Sequence, residues 1–160
     1  KMKFNSALRN FVLVLFSTLL ISACSTAKKA KVDTVDDVYT GTDTVEFLAK
    51  GVPDRIFFAT NKSKLTTRSR DTLRKQATFL RKNKDVTVTL EGHADERGTR
   101  EYNLALGERR ANAARDYLMT YGVSGKRLSV ISYGKEKPVN PASTPLAWSQ
   151  NRRAVTIKTN

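Results

Sequence analysis

Two short runs of strict alternation constrain the fold more than any other feature of the chain. Val86, Val88 and Leu90 alternate with Thr87 and Thr89, and Val155 and Ile157 alternate with Thr156 and Lys158. A period of two puts one face of an extended strand in an apolar layer and leaves the other face polar. Arg55–Thr60 and Leu128–Tyr133 read as two further strands. Between the first two strands, Thr66 or Thr67 caps a predicted helix running to about Lys84, with Leu73, Ala77 and Leu80 on one stripe. A second helix spans Glu101–Tyr121 and ends near Gly122. Pro138, Pro141 and Pro145 break the stretch before the last strand, and Thr144-Pro145 opens a short helix to about Gln150. Thr44–Val52 fits either a helical turn or a short edge strand. The order β-α-β-α-β-(short α)-β, with strands apolar on one face, predicts a two-layer α+β domain.

The front of the chain has a different character. Lys1, Lys3 and Arg9 precede an apolar run, Phe11–Ala23, and no acidic residue occurs before Asp33. That is the layout of a bacterial export signal, and the 13-residue run is too short to span a bilayer as a helix. The run ends Leu20-Ile21-Ser22-Ala23-Cys24, which resembles a lipobox. The expectation is cleavage of residues 1–23 and lipidation of Cys24, the only cysteine. Residues 24–43 then form the lipidated cysteine and a flexible tether rich in Lys, Asp, Thr and Ala. Residues 44–160 form one domain.

The net charge of +14 sits mostly in that domain, where 23 Lys and Arg face 11 Asp and Glu. Such a balance prompts a nucleic-acid reading, which the export signal and the lack of an aromatic-basic strand motif oppose. One cysteine excludes an internal disulfide framework, and one histidine without a second ligand cluster argues against a metal site. No Gly-x-Ser-x-Gly elbow accompanies the histidine, so a serine hydrolase is poorly supported. No cofactor is expected.

Glu91–Thr99 joins the end of a strand to the start of a helix, a place where α/β sheets favour ligands. Read alone, His93, Asp95 and Glu96 make a polar loop with a capping carboxylate. The longer stretch Glu91-Gly-His-Ala-Asp95-Glu-Arg97-Gly-Thr-Arg-Glu-Tyr102-Asn103-Leu-Ala-Leu106-Gly-Glu-Arg109-Arg110-Ala111 resembles the signature of OmpA-like peptidoglycan-binding domains. Ser132-Tyr133-Gly134-Lys-Glu-Lys-Pro138 and Asn151-Arg152-Arg153-Ala154-Val155 match two later motifs of that family. The lipobox and tether add the layout of its lipid-anchored members, which work with the Tol system.

The resemblance implies a βαβαββ fold: a mixed four-stranded sheet in the order 1-4-2-3, last strand antiparallel, with helices on one face. It implies non-enzymatic binding of the peptidoglycan stem peptide through meso-diaminopimelate. Its implied partners are the Tol periplasmic β-propeller and inner-membrane arm, and its implied location is the periplasmic side of the outer membrane, reached through the lipid anchor. Asp95 and Arg110 would take the ammonium and carboxylate of the diaminopimelate D-centre, as a fixed anion and a fork-shaped cation. Thr60 and Asn61 stand at the first-strand exit, where the family usually has Phe-Asp. Asn103, Leu106 and Arg97 would support the pocket wall, whereas Arg152, Arg153 and Trp148 are expected to be structural. Helix arithmetic puts Arg110 at the rim of a stripe made by Leu104, Ala111, Ala114 and Leu118, and points Arg109 away.

Overall fold

The structure, a computed structural model, describes residues 37–160. Its elements run β1 (Phe47–Ala49), β2 (Val52–Pro53), β3 (Arg55–Phe57), α1 (Thr67–Lys82), β4 (Val88–His93), α2 (Arg100–Thr120), β5 (Leu128–Gly134), α3 (Pro145–Asn151) and β6 (Arg153–Lys158). A 3-10 turn, Gly125–Arg127, precedes β5. The main sheet has the order β3-β6-β4-β5, with β6 antiparallel to both neighbours and β4 parallel to β5. This is the expected 1-4-2-3 arrangement. Thr44–Val52, left open by pattern, contributes the β1 strand of a small separate hairpin with β2.

Each helix begins on a threonine. The side chains of Thr66, Thr99 and Thr144 accept the backbone N–H groups of Ser69, Tyr102 and Ala147. Such a cap satisfies one of the unpaired first-turn donors and contributes about 1 kcal/mol. Helices α1 and α2 lie over the sheet face that carries Ile56, Val88, Leu90 and Ala154, and close the core with Leu73, Leu80 and Leu118.

Four features depart from the patterns in the sequence. First, β4 runs on through Gly92 and His93, which periodicity assigned to the loop. Second, the sheet face turned away from the helices is not simply polar, since Phe57 packs there with Val38 and Tyr39 in a smaller apolar cluster. That cluster brings the third difference: Val38 and Tyr39 are buried, so the packed unit reaches back into the stretch whose composition predicted tether. An isolated apolar pair in polar sequence carries no period, and only Phe57 and its neighbours give it a partner. Fourth, Arg110 is not at the rim of the α2 stripe but wholly buried, while Leu104 is only half-buried.

Close backbone contact between α2 and β4 accounts for that last shift. A Cβ on Gly92 would lie 1.8 Å from the carbonyl oxygen of Gly107, and one on Gly107 would lie 2.3 Å from Ser132 Oγ. Only glycine at both positions lets the helix sit this low on the strand. Arg110, about one turn past Gly107, is thereby carried under the sheet end instead of over its edge.

Candidate functional site

The sheet register draws distant residues to one place. Gly92 pairs with Ala154 and Phe57 with Arg153 in antiparallel ladders, so the exits of β3 and β4 flank the start of β6. The N–H of Phe58 donates to the carbonyl of Arg152 at 2.9 Å and extends the β3 ladder by one step. Asp95, just beyond β4, therefore faces Arg152, just before β6.

Asp95 is a saturated acceptor. Its Oδ1 takes the backbone N–H of Arg97 at 3.1 Å and the Nε of Arg97 at 3.0 Å. Its Oδ2 takes Arg97 Nη2 at 2.7 Å and Arg152 Nη1 at 3.2 Å. Burial pushes the Asp95 carboxyl up, but the hydrogen bonds and charge of Arg97, helped by Arg152, outweigh it and hold the group below its ordinary value. Arg97 lies across the site mouth, its side chain 42% exposed, with its guanidinium 4.3 Å above the Trp148 ring and within 3.2 Å of Thr60 Oγ.

Arg110 lies below. Its Nε, Nη1 and Nη2 donate to the carbonyls of Lys62, His93 and Ala59 at 2.9, 2.7 and 3.1 Å. Those three bonds stitch the β3 exit loop to the end of β4 through α2. Five N–H donors are available on a guanidinium, so two remain unused, and the side chain is wholly enclosed. Burial, followed by the charge of Arg152, lowers the Arg110 pKa to about 9, and the group remains a cation at neutral pH.

The other expected residues take lesser positions. Asn103 is buried and donates from Nδ2 to the carbonyl of Arg97 at 2.9 Å, bracing the loop rather than facing an open pocket. Leu106 is buried on α2 one turn before Arg110. Asn61 is exposed with φ +55°, a left-handed conformation that Asn tolerates better than most residues. Thr60 lies at the mouth, and beside it a crevice of about 550 Å³ is lined in part by Lys62, Lys64, Leu65 and Arg70. Cys24, the signal segment and the tether up to residue 36 lie outside the described residues. Among the described residues no group of three or more His, Cys, Asp and Glu side chains is placed to hold a metal ion.

Sequence reasoning missed two participants. Arg152, expected to be structural, is almost fully buried in the site, where its Nε donates to the carbonyl of Phe58 at 3.1 Å and its Nη1 reaches Asp95. Its motif was visible, but a residue just ahead of a strand has no periodic face to betray its direction. Asp37 is the second: its carboxylate accepts from Arg152 and from the hydroxyl of Thr60, and from the Thr60 N–H at 3.3 Å. Nothing local marks it. Trp148 packs as expected, half-buried, its Nε1 donating to Glu96 Oε1 at 2.8 Å.

Known proteins resemble this chain in sequence and fold. Residues 57–152 match the OmpA family. The chain is 44% identical over 153 residues to the peptidoglycan-associated lipoprotein of Mesorhizobium japonicum, covering 92% of this chain and 91% of that one. It is 58% identical over 106 residues to that of Rhizobium meliloti, covering 66% of this chain and 60% of the relative's length. The crystal structure of the peptidoglycan-associated lipoprotein from Burkholderia pseudomallei superposes with a TM-score of 0.65 at 35% identity, covering 66% of this chain and 90% of that one.

Proposed function

Because the chain belongs to the OmpA family and matches its peptidoglycan-associated lipoproteins along most of its length, we propose that it is an envelope lipoprotein that binds the diaminopimelate stem peptide of peptidoglycan non-covalently. The observation that carries this reading is the meeting of one fixed anion, Asp95, with the cations Arg97, Arg110 and Arg152 at the ends of three strands. A zwitterionic D-centre needs both signs of charge a few ångströms apart. Its ammonium replaces Arg97 on Asp95, since Arg97 is the half-exposed partner and can turn into solvent at little cost. Its carboxylate takes the two spare N–H groups of Arg110 as a fork. The basic crevice beside Thr60 accommodates the neighbouring acidic part of the peptide.

A lysine-type stem lacks the D-centre carboxylate. Losing a charge-assisted hydrogen bond, worth roughly 1.5–3 kcal/mol, separates the two peptide classes by at least about tenfold in affinity. Calorimetry with the two peptides is the test, and equal affinities would refute the zwitterion reading. Acyl chains on Cys24 would hold the domain at the outer membrane, so that each molecule ties membrane to wall. Mass spectrometry of the native protein should then find acyl mass on an N-terminal Cys24. The same reading extends to the Tol-system β-propeller and inner-membrane arm as partners, which co-purification after crosslinking in cells would detect.

A further inference from the structure

The carboxylate of Asp37 already does in the free chain what a ligand carboxylate would do. One of its oxygens accepts from Nη2 of Arg152, and the other accepts the N–H and hydroxyl of Thr60. The main-chain carbonyl of Asp37 accepts from the same Nη2. Arg152 is the residue that also grips Asp95, and Thr60 is the one Arg97 touches. Asp37 therefore sits in the charge cluster of the proposed pocket, although 115 residues separate it from Arg152.

Its attachments differ from those of its neighbours. Val38 and Tyr39 are buried against Phe57, whereas the Asp37 side chain is 43% exposed and its backbone has φ +52°. The apolar pair anchors the segment, and Asp37 beyond it can turn away without unfolding the cluster. An aspartate is tolerated in the left-handed region but not favoured there, so departure relieves backbone strain.

We infer that Asp37 is an intramolecular stand-in for a ligand carboxylate, and that Arg152 with Thr60 forms a second carboxylate subsite which peptide must share with or take from the chain that leads to Cys24. The inference rests on the peptide-binding reading above and adds a competitor to it. Competition of this kind lowers apparent affinity by the fraction of molecules in which the subsite is open. It also couples wall binding to the membrane-proximal segment, because the residue displaced by peptide lies on the chain that joins the domain to the lipid.

The experiment compares the full lipidated chain in detergent with its Asp37→Asn and Asp37→Ala variants, by calorimetry against the tetrapeptide L-Ala–D-isoGlu–meso-diaminopimelate–D-Ala. Removing the competing charge should raise affinity by about three- to tenfold, corresponding to a subsite open in roughly a tenth to a third of molecules. Unchanged melting temperatures would show that the gain comes from the site. In the Arg152→Gln background, where the subsite has lost its cation, Asp37→Asn should change affinity less than twofold. Wild type binding with the same or higher affinity than both Asp37 variants overturns the inference and leaves the peptide-binding reading intact. No binding by any of the proteins overturns the peptide-binding reading and this inference together.

Discussion

Asp95 and His93 are two residues apart, both almost wholly buried, and both titrate below their ordinary values, yet for opposite reasons. Asp95 points into the strand-end cluster, where four donor contacts from Arg97 and Arg152 overcome the cost of burial and keep the group charged. His93 points to the other sheet face, stacked on Tyr133 with ring centroids 5.6 Å apart, and neither ring nitrogen has a hydrogen-bond partner. Burial alone, reinforced by the positive charges of Arg153 and Lys137, pushes its pKa down to about 3 and keeps the ring neutral. The strand ends at His93, and the turn beyond it, not the alternation of the strand, sends Asp95 to a different environment. Burial by itself does not decide whether a group is charged. What decides it is whether partners replace the lost water.

The sharpest way to break this contrast is to delete the saturated side. Asp95→Ala leaves Arg152 buried with Asp37 as its remaining carboxylate and should destabilise the domain by about 3 kcal/mol, the low end for a broken buried pair because Arg97 reaches solvent. Urea unfolding measures it, and a loss below about 1 kcal/mol would mean that the network contributes no more than a surface pair.

Acid separates the two groups next. In the unfolded chain His93 gains a proton as pH falls through about 6.5, whereas in the folded chain it stays neutral until about 3. The unfolded state binds more protons across that window, so stability falls as pH drops from 6.5 toward 3, by up to about 1.4 kcal/mol per unit. Asp95 has the depressed carboxylate pattern: its contribution is present above the ordinary carboxylate value and is lost only as pH falls below it toward the lower folded value. His93→Phe, which keeps a ring against Tyr133 but cannot titrate, should flatten the slope between pH 6 and 4 in a pH series of thermal melts. A slope unchanged by the substitution would assign the acid sensitivity elsewhere.

Two adjacent arginines give the smaller effects. Arg110→Ala should weaken diaminopimelate-peptide binding by at least about tenfold, equivalent to 1.4 kcal/mol. Because it also orphans three backbone carbonyls, the variant is to be measured at a temperature where circular dichroism shows it folded. Arg109→Ala removes the same charge from the exposed side of α2, where the guanidinium lies 5.9 Å from the Tyr102 ring, and should change binding by less than about threefold. Equal losses that both disappear in high salt would show diffuse attraction between a basic domain and an acidic wall, not a pocket.

The sequence by itself determined the three helices and the four strands of the main sheet, though not the hairpin in Thr44–Val52 or the extension of β4 through His93. Thr66 and Thr144 act locally as caps, and alternation marks both β4 and β6 as strands. It misassigned the face of β6: Leu90 pairs with Thr156, so Val155 and Ile157 turn away from the helices, and Ile157 is 40% exposed while Thr156 is buried. The sequence also marked Asp95, Arg97 and Arg110 through one continuous motif. Tertiary structure alone decided that Arg110 is buried and not at a rim, because that depends on how closely Gly107 lets α2 approach Gly92. It alone brought Arg152 to Asp95 and Asp37 to Arg152, across 57 and 115 residues. The physical reason is the position of β6 between β3 and β4. Strand order is set by long-range pairing, and side chains just beyond strand ends meet according to that order, which no local period encodes.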